Sequence, residues 1–326
     1  MANSTEGFAK PWLDFEKQIG QRLLLTAPTA AEARAQYLET GALLMSKLTF
    51  PAPDTSITTT DKEIQPGLKV RIYTPPDRTF APKPACIFYH GGGWAMGDLE
   101  GEDGFCRMVS KECEVVVVSV DYRLAPEYPY PAPLDDCVEV YEWVLKNSEE
   151  LGTKSGEIVT VGTSAGGNLA LAVALKMLDS GKGETVKGIV ALAPVTVAVE
   201  ALPESLRGKY TSYDDHDLNT INTKAAMKMF FDAYRADPKD PYVSVLLHQK
   251  LCDLPRVYIA VCGQDTLRDD GRLMRDTLNE AGVPNMYDEY EGYPHFFWSY
   301  PSEHLKGPIG KFKSNVRKGV EFVLEA

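Results

Sequence analysis

The hydrophobic positions of this chain follow two periods, and the change from one to the other divides it. Trp12, Phe15, Ile19 and Leu23 recur at i, i+3, i+7 and i+11, the apolar stripe of a helix. Thr29-Ala30-Ala31-Glu32 has the spacing of a capping box and predicts a second helix carrying Tyr37, Leu44 and Met45. Prolines at 51 and 53 close this layer. From about residue 55, short apolar runs alternate with helical patterns. LKVRIYTP, PACIFYH, EVVVVSVDY, EIVTVG, VKGIVALAPV, RVYIAVCG and NMYDEYE read as strands. EVVVVSVDY is apolar on both sides of the pleat, as in a strand buried on both faces. Helices are predicted up to about Glu112, at LDDCVEVYEWVLKN, at SAGGNLALAVALKML, after Asp269, and from Ile309 onward. In the last, Ile309, Phe312, Val316 and Val320 share a face. Strands alternating with helices predict an α/β fold, a mostly parallel sheet covered on both sides.

One stretch interrupts the alternation. Residues of about 197–250 are polar, with Met227, Phe230, Phe231 and Tyr234 at helical spacing, and they lie between two core strands. The expected organisation is an N-terminal helical cap segment (1–53), a first core part (54–196), a cap insertion (197–250) and a second core part (251–326).

Composition narrows the function. Hydrophobic residues at 44% and charged residues at 25% are ordinary for a folded globule. No apolar run approaches the ~20 residues of a membrane span. The opening MANSTEGFAKPW lacks a basic and then apolar stretch, so no secretory signal is expected, and Asn3-Ser4-Thr5 reads as a chance glycosylation match. A net charge of −12 without a long basic run argues against nucleic acid and anionic membranes as partners. Six cysteines without C-x-x-C or zinc spacing read as free thiols of a reducing, cytoplasmic compartment, and no metal site is expected.

The chemistry concentrates in three fragments. Gly162-Thr163-Ser164-Ala165-Gly166 stands between a predicted strand and a predicted helix, the context in which G-x-S-x-G forms a nucleophile elbow. Upstream, His90-Gly91-Gly92-Gly93-Trp94 follows a strand and leaves amides unshielded for a developing oxyanion. The expected donors are Gly91, Gly92 and Ala165, with His90 and Gly93 in support. The serine needs a base and an orienting acid. Of five histidines, His295 stands in a loop just past the last strand, and His304 is the weaker alternative. Asp265 is the first carboxylate off the strand RVYIAVCG, whereas Asp269 and Asp270 suit the start of the next helix. Trp94, Thr163 and Phe296 are candidates to wall the substrate pocket. Asp121, Arg123 and Glu127 are expected to brace the glycine loop, and Asp214, Asp215, His216 and Asp217 to form a solvated loop.

HGGGW, DYRLAPEYPYPAP, GTSAGGN, GQDTLRDDG and YPHFF together resemble the hormone-sensitive-lipase-like family of α/β-hydrolases, over the chain from about residue 69 onward. The sequence is also similar to fungal acyl-esterases of polyketide pathways. The resemblance implies an α/β-hydrolase fold with a helical cap and a triad of Ser164, Asp265 and His295. It implies a carboxylesterase without cofactor, acting on small ester molecules, and is compatible with a homodimer. Thr163 stands where many members carry Asp, which matches a threonine-bearing branch. Acyl transfer, lyase or cyclase chemistry, or a ligand receptor on the same scaffold, are the rival expectations.

Overall fold

A computed structural model describes residues 5–76 and 81–325. Asn3 and Ser4 of the glycosylation match lie outside the described residues. Eight strands form one sheet: β1 (Thr58–Gln65), β2 (Leu68–Thr74), β3 (Ala85–Tyr89), β4 (Val117–Asp121), β5 (Ile158–Thr163), β6 (Val186–Leu192), β7 (Arg256–Cys262) and β8 (Asn285–Tyr290). Their order is β1-β2-β4-β3-β5-β6-β7-β8. β2 is antiparallel to both of its neighbours, and the strands from β4 to β8 run parallel.

The helices are α1 (Lys10–Ile19), α2 (Ala30–Lys47), α3 (Asp103–Cys113), α4 (Ala132–Lys146), α5 (Ser148–Leu151), α6 (Ala165–Asp179), α7 (Ser212–Asp215), α8 (Lys224–Tyr234), α9 (Arg268–Glu280) and α10 (Lys306–Leu324). Among the described residues no helix is long and apolar enough to cross a membrane. Successive residues of a central strand enter different cores. Ile87, Val118, Ile189 and Ile259 join one apolar cluster with α4, α6 and α9. Cys86, Val117, Val190 and Tyr258 join another with α1, α3 and α10. This is why the central strands read as unbroken apolar runs. Thr160 is polar within β5, and its hydroxyl donates to the Ala170 carbonyl at 2.9 Å.

Two departures from the sequence expectation concern the periphery. β1 pairs only with β2, and its residues TTTDKEIQ show no buried position, so the apolar pattern carried no signal for it. The α1 stripe stops at Ile19 because Gly20 takes a left-handed φ of 87°, and Leu23 reaches the same core from beyond the helix. The Thr29 cap forms as expected, with the Glu32 amide donating to Thr29 Oγ1 at 3.3 Å. Met45, however, points into solvent.

The N-terminal segment and the stretch between β6 and β7 are tied together. The Leu25 amide donates to the Ile221 carbonyl at 2.9 Å, and the Thr223 hydroxyl to the Leu25 carbonyl at 2.7 Å. α9 anchors the same stretch. Asp270 accepts from the amides of Thr196 (2.7 Å) and Val197 (3.2 Å) and from the Tyr210 hydroxyl (2.6 Å). Asp269 accepts from the amides of Thr211 (2.8 Å) and Ser212 (2.9 Å). Replacing Asp270 with Ala strands two buried amides, so unfolding free energy should fall by about 2–4 kcal/mol. Urea denaturation of Asp270→Ala beside the parent checks this, and equal midpoints would refute the anchor.

Candidate active site

Strand β5 ends at Thr163 and α6 starts at Ala165, leaving Ser164 alone to reverse the chain, at φ 56° and ψ −119°. A side-chain-bearing residue at positive φ is strained and needs its surroundings to hold it. Ser164 N–H donates to Leu192 O at 2.8 Å, and its carbonyl accepts from the Asn168 amide at 3.1 Å. The turn also demands missing side chains. A Cβ on Gly162 would overlap the Gly166 carbonyl, and one on Gly166 would overlap the carbonyls of Tyr89 and His90. The hydroxyl thus stands at the N-terminus of a helix of 15 residues, where the helix dipole favours negative charge.

Asp265 follows β7 and His295 follows β8, so both rise from the sheet edge that carries Ser164. His295 Nδ1 lies 2.6 Å from Asp265 Oδ2, with both side chains buried. A proton on Nδ1 facing the carboxylate leaves Nε2 as the free basic nitrogen. Asp265 Oδ1 accepts from the Leu267 amide and from Asn222 Nδ2, each at 3.0 Å. The His295 amide donates to Thr220 Oγ1 at 3.1 Å, and that hydroxyl donates to Asn222 Oδ1 at 2.8 Å. Thr220 and Asn222 come from the stretch before α8, and sequence reasoning missed them because a polar run in an insertion resembles any surface loop. His304 is exposed, and Asp269 and Asp270 hold backbone amides instead of the imidazole.

The glycine loop is fixed one peptide at a time. Tyr122 OH donates to the His90 carbonyl at 2.8 Å, and the Gly91 amide donates to Glu102 Oε2 at 2.8 Å. The next peptide is held by His90 itself, whose Nδ1 lies 2.8 Å from the Gly91 carbonyl. Burial pushes the His90 imidazole down to about 4, so it is neutral and carries its proton on Nδ1. The Gly92 carbonyl accepts from the amides of Ala95 (3.1 Å) and Met96 (2.9 Å). In a trans peptide the N–H points opposite to the C=O. Fixing the carbonyls of Gly91 and Gly92 therefore fixes the amides of Gly92 and Gly93, which meet no acceptor among the described residues. Gly91 departs from the sequence expectation: its one proton is committed to Glu102, and Gly93 presents the free amide in its stead. The Ala165 amide belongs to the first turn of α6, which a helix leaves unpaired.

The expected pocket residues lie in three different settings. Trp94 is fully buried, stacked on Tyr234 of α8 with ring centroids 4.4 Å apart. Thr163 is buried with its hydroxyl on Glu102. Phe296 lies beside His295, ring centroids 4.6 Å apart, at a left-handed φ of 61°. Of the supposed loop braces, Arg123 pairs with Asp136 of α4 at 2.7 Å. Among the described residues Glu127 reaches the loop through Arg34, which donates to it and to the Ala95 carbonyl at 2.8 Å each. The brace in that segment is Tyr122, stacked on His90 at 4.1 Å. His216 is buried and accepts from Arg268 Nη1 at 2.6 Å, so the acidic string is solvated only in part. Among the described residues no group of His, Cys, Asp and Glu could hold a metal ion.

The model of the alpha/beta hydrolase fold family matches residues 86–299. The chain belongs to this family. It is 43% identical over 316 residues to versiconal hemiacetal acetate esterase of Aspergillus parasiticus, covering 97% of this chain and 98% of that one. It is 48% identical over 284 residues to versiconal hemiacetal acetate esterase of Emericella nidulans, covering 86% and 96%. Among solved structures, vibralactone cyclase superposes with a TM-score of 0.85 at 26% identity, covering 100% of this chain and 97% of that one. The α/β-hydrolase is accordingly a carboxylesterase-type enzyme. In Asp265→Asn the imidazole loses the carboxylate that fixes its tautomer, and turnover should fall by roughly 10³–10⁴ with the fold intact. Steady-state kinetics and circular dichroism of that variant test the pairing, and a loss of tenfold or less would remove Asp265 from the site.

Proposed function

We propose that the enzyme cleaves small, uncharged acyl esters through an acyl-enzyme on Ser164. The observation that carries this reading is the 2.6 Å contact of buried Asp265 and His295 on the sheet edge of the strained serine turn. His295 Nε2 takes the Ser164 proton as Oγ attacks the ester carbonyl, and Asp265 stabilises the imidazolium. The amides of Gly92, Gly93 and Ala165 receive the oxyanion, each worth roughly 10²–10³ in turnover. The alkoxide leaves with the proton from His295, and water then cleaves the acyl-enzyme by the reverse route. No step needs a cofactor.

The N-terminal segment and the stretch between β6 and β7 serve as the cap. Phe230 and Phe231 of α8 lie against Gly93 and Trp94, which supports a closed aromatic pocket. With the net charge of −12, this favours neutral substrates over polyanions and anionic interfaces. The names of the relatives make acetate esters the first substrates to try. Across p-nitrophenyl esters from acetyl to palmitoyl, activity should fall beyond about eight carbons. A preference for palmitoyl over butyryl esters, or a jump in rate at micelle formation, would replace this reading with a lipase.

A fluorophosphonate should add one adduct to the intact protein, and none to Ser164→Ala. Undiminished esterase activity in that variant would discard the mechanism. The likeness to a cyclase favours one alternative, capture of the acyl group by a hydroxyl of the substrate itself. Label from ¹⁸O-water appears in the acid product of hydrolysis and is absent from a cyclised product.

A further inference from the structure

Glu102 holds the N-cap position of α3, yet its carboxylate accepts no hydrogen bond from that helix. It turns instead toward two groups far from it in sequence. Oε2 takes the Gly91 amide at 2.8 Å, and the Thr163 hydroxyl lies 2.9 Å from Oε1 and 2.8 Å from Oε2. Gly91 opens the glycine loop, and Thr163 is the last residue before the nucleophile. One side chain thus joins the two backbones that carry the oxyanion amides.

The juxtaposition is tight. A Cβ on Gly91 would stand 3.2 Å from Thr163 Oγ1, so loop and elbow have no slack between them. Holding the carboxylate here opposes solvation. Burial raises it to about 7, against the pull of the two donors and of nearby His295. Tyr122 and Cys106 face the same charge, and each is pushed up by burial and by Glu102. Groups kept in such surroundings cluster at functional sites.

We propose that Glu102 is a positioning residue for ester cleavage: by tying the Gly91 amide to the Thr163 hydroxyl it sets the Gly92 and Gly93 amides at the distance from Ala165 that the tetrahedral oxyanion requires. The inference rests on the reading of Ser164 as nucleophile. Glu102 touches no reacting atom. Its effect is on the transition state, because the substrate carbonyl binds the amides less strongly than the oxyanion does.

Kinetics of the full chain with p-nitrophenyl acetate test this. Glu102→Ala should lower kcat about 10- to 100-fold, up to the loss of one oxyanion donor, with KM within about threefold. Glu102→Gln should recover kcat to within about fivefold of the parent, since its carbonyl still accepts from Gly91 while its NH₂ donates to Thr163 Oγ1. A Glu102→Ala kcat within twofold of the parent, or a loss confined to KM, overturns the proposal. Should the alanine variant fail to fold, Thr163→Val and Thr163→Ser decide. Val should lower kcat with KM held and Ser should restore it, and an unchanged kcat in Val is equally fatal. Ser164→Ala separates the two layers. Turnover surviving there sinks the esterase mechanism itself, whereas its loss beside an unaffected Glu102→Ala sinks only the role of Glu102.

Discussion

The close approach of α6 to the end of β3 is the constraint on which the rest of this molecule depends. Gly166 brings the first turn of the helix against the carbonyls of Tyr89 and His90, with no room for a methyl group. That contact places the elbow directly beside the strand from which the glycine loop departs. Ser164 and the loop amides of Gly92 and Gly93 are therefore neighbours by backbone packing, before any side chain is considered. The cost is a serine at positive φ, and the flanking hydrogen bonds to Leu192 and Asn168 keep it there.

Order in the site comes from backbone groups held by side chains and by neighbouring amides. Three successive carbonyls, of His90, Gly91 and Gly92, each have a dedicated donor. Because a peptide is planar, each fixed carbonyl also aims an amide, so the loop amides are ordered by the fold itself. The Asp265–His295 pair is built on the same plan, with Asp265 oriented by an amide and by Asn222 as well as by the imidazole. Neutral His90 contributes direction to the loop without adding a charge.

Much of this was legible in the sequence, for physical reasons that differ from part to part. The central strands announced themselves because both faces are buried, and the elbow because only Gly162 and Gly166 let the chain pass. Asp265 and His295 were expected in loops that follow parallel strands, which lead to one edge of the sheet, and the two side chains meet there at 2.6 Å. Polar β1 stayed hidden because an edge strand with no buried residue has no apolar period to read. The bond of the Gly91 amide to Glu102 was not legible, because that acceptor sits eleven residues on and reaches back across a turn. Thr220 and Asn222 were hidden for a similar reason: their partners lie in distant loops that only the folded chain brings near.

Arg34 of α2 gives the N-terminal segment a mechanical part in the site. Its guanidinium holds the carbonyls of Ala95 and Ala125 at 2.8 Å each while gripping Glu127 with both forks. Ala95 is the second residue past the three glycines, so this helix and the glycine loop behave as one linkage and not as a door on a frame. A swing of α2 large enough to admit substrate would release all of these bonds together, and the loop amides would lose their alignment in the same stroke.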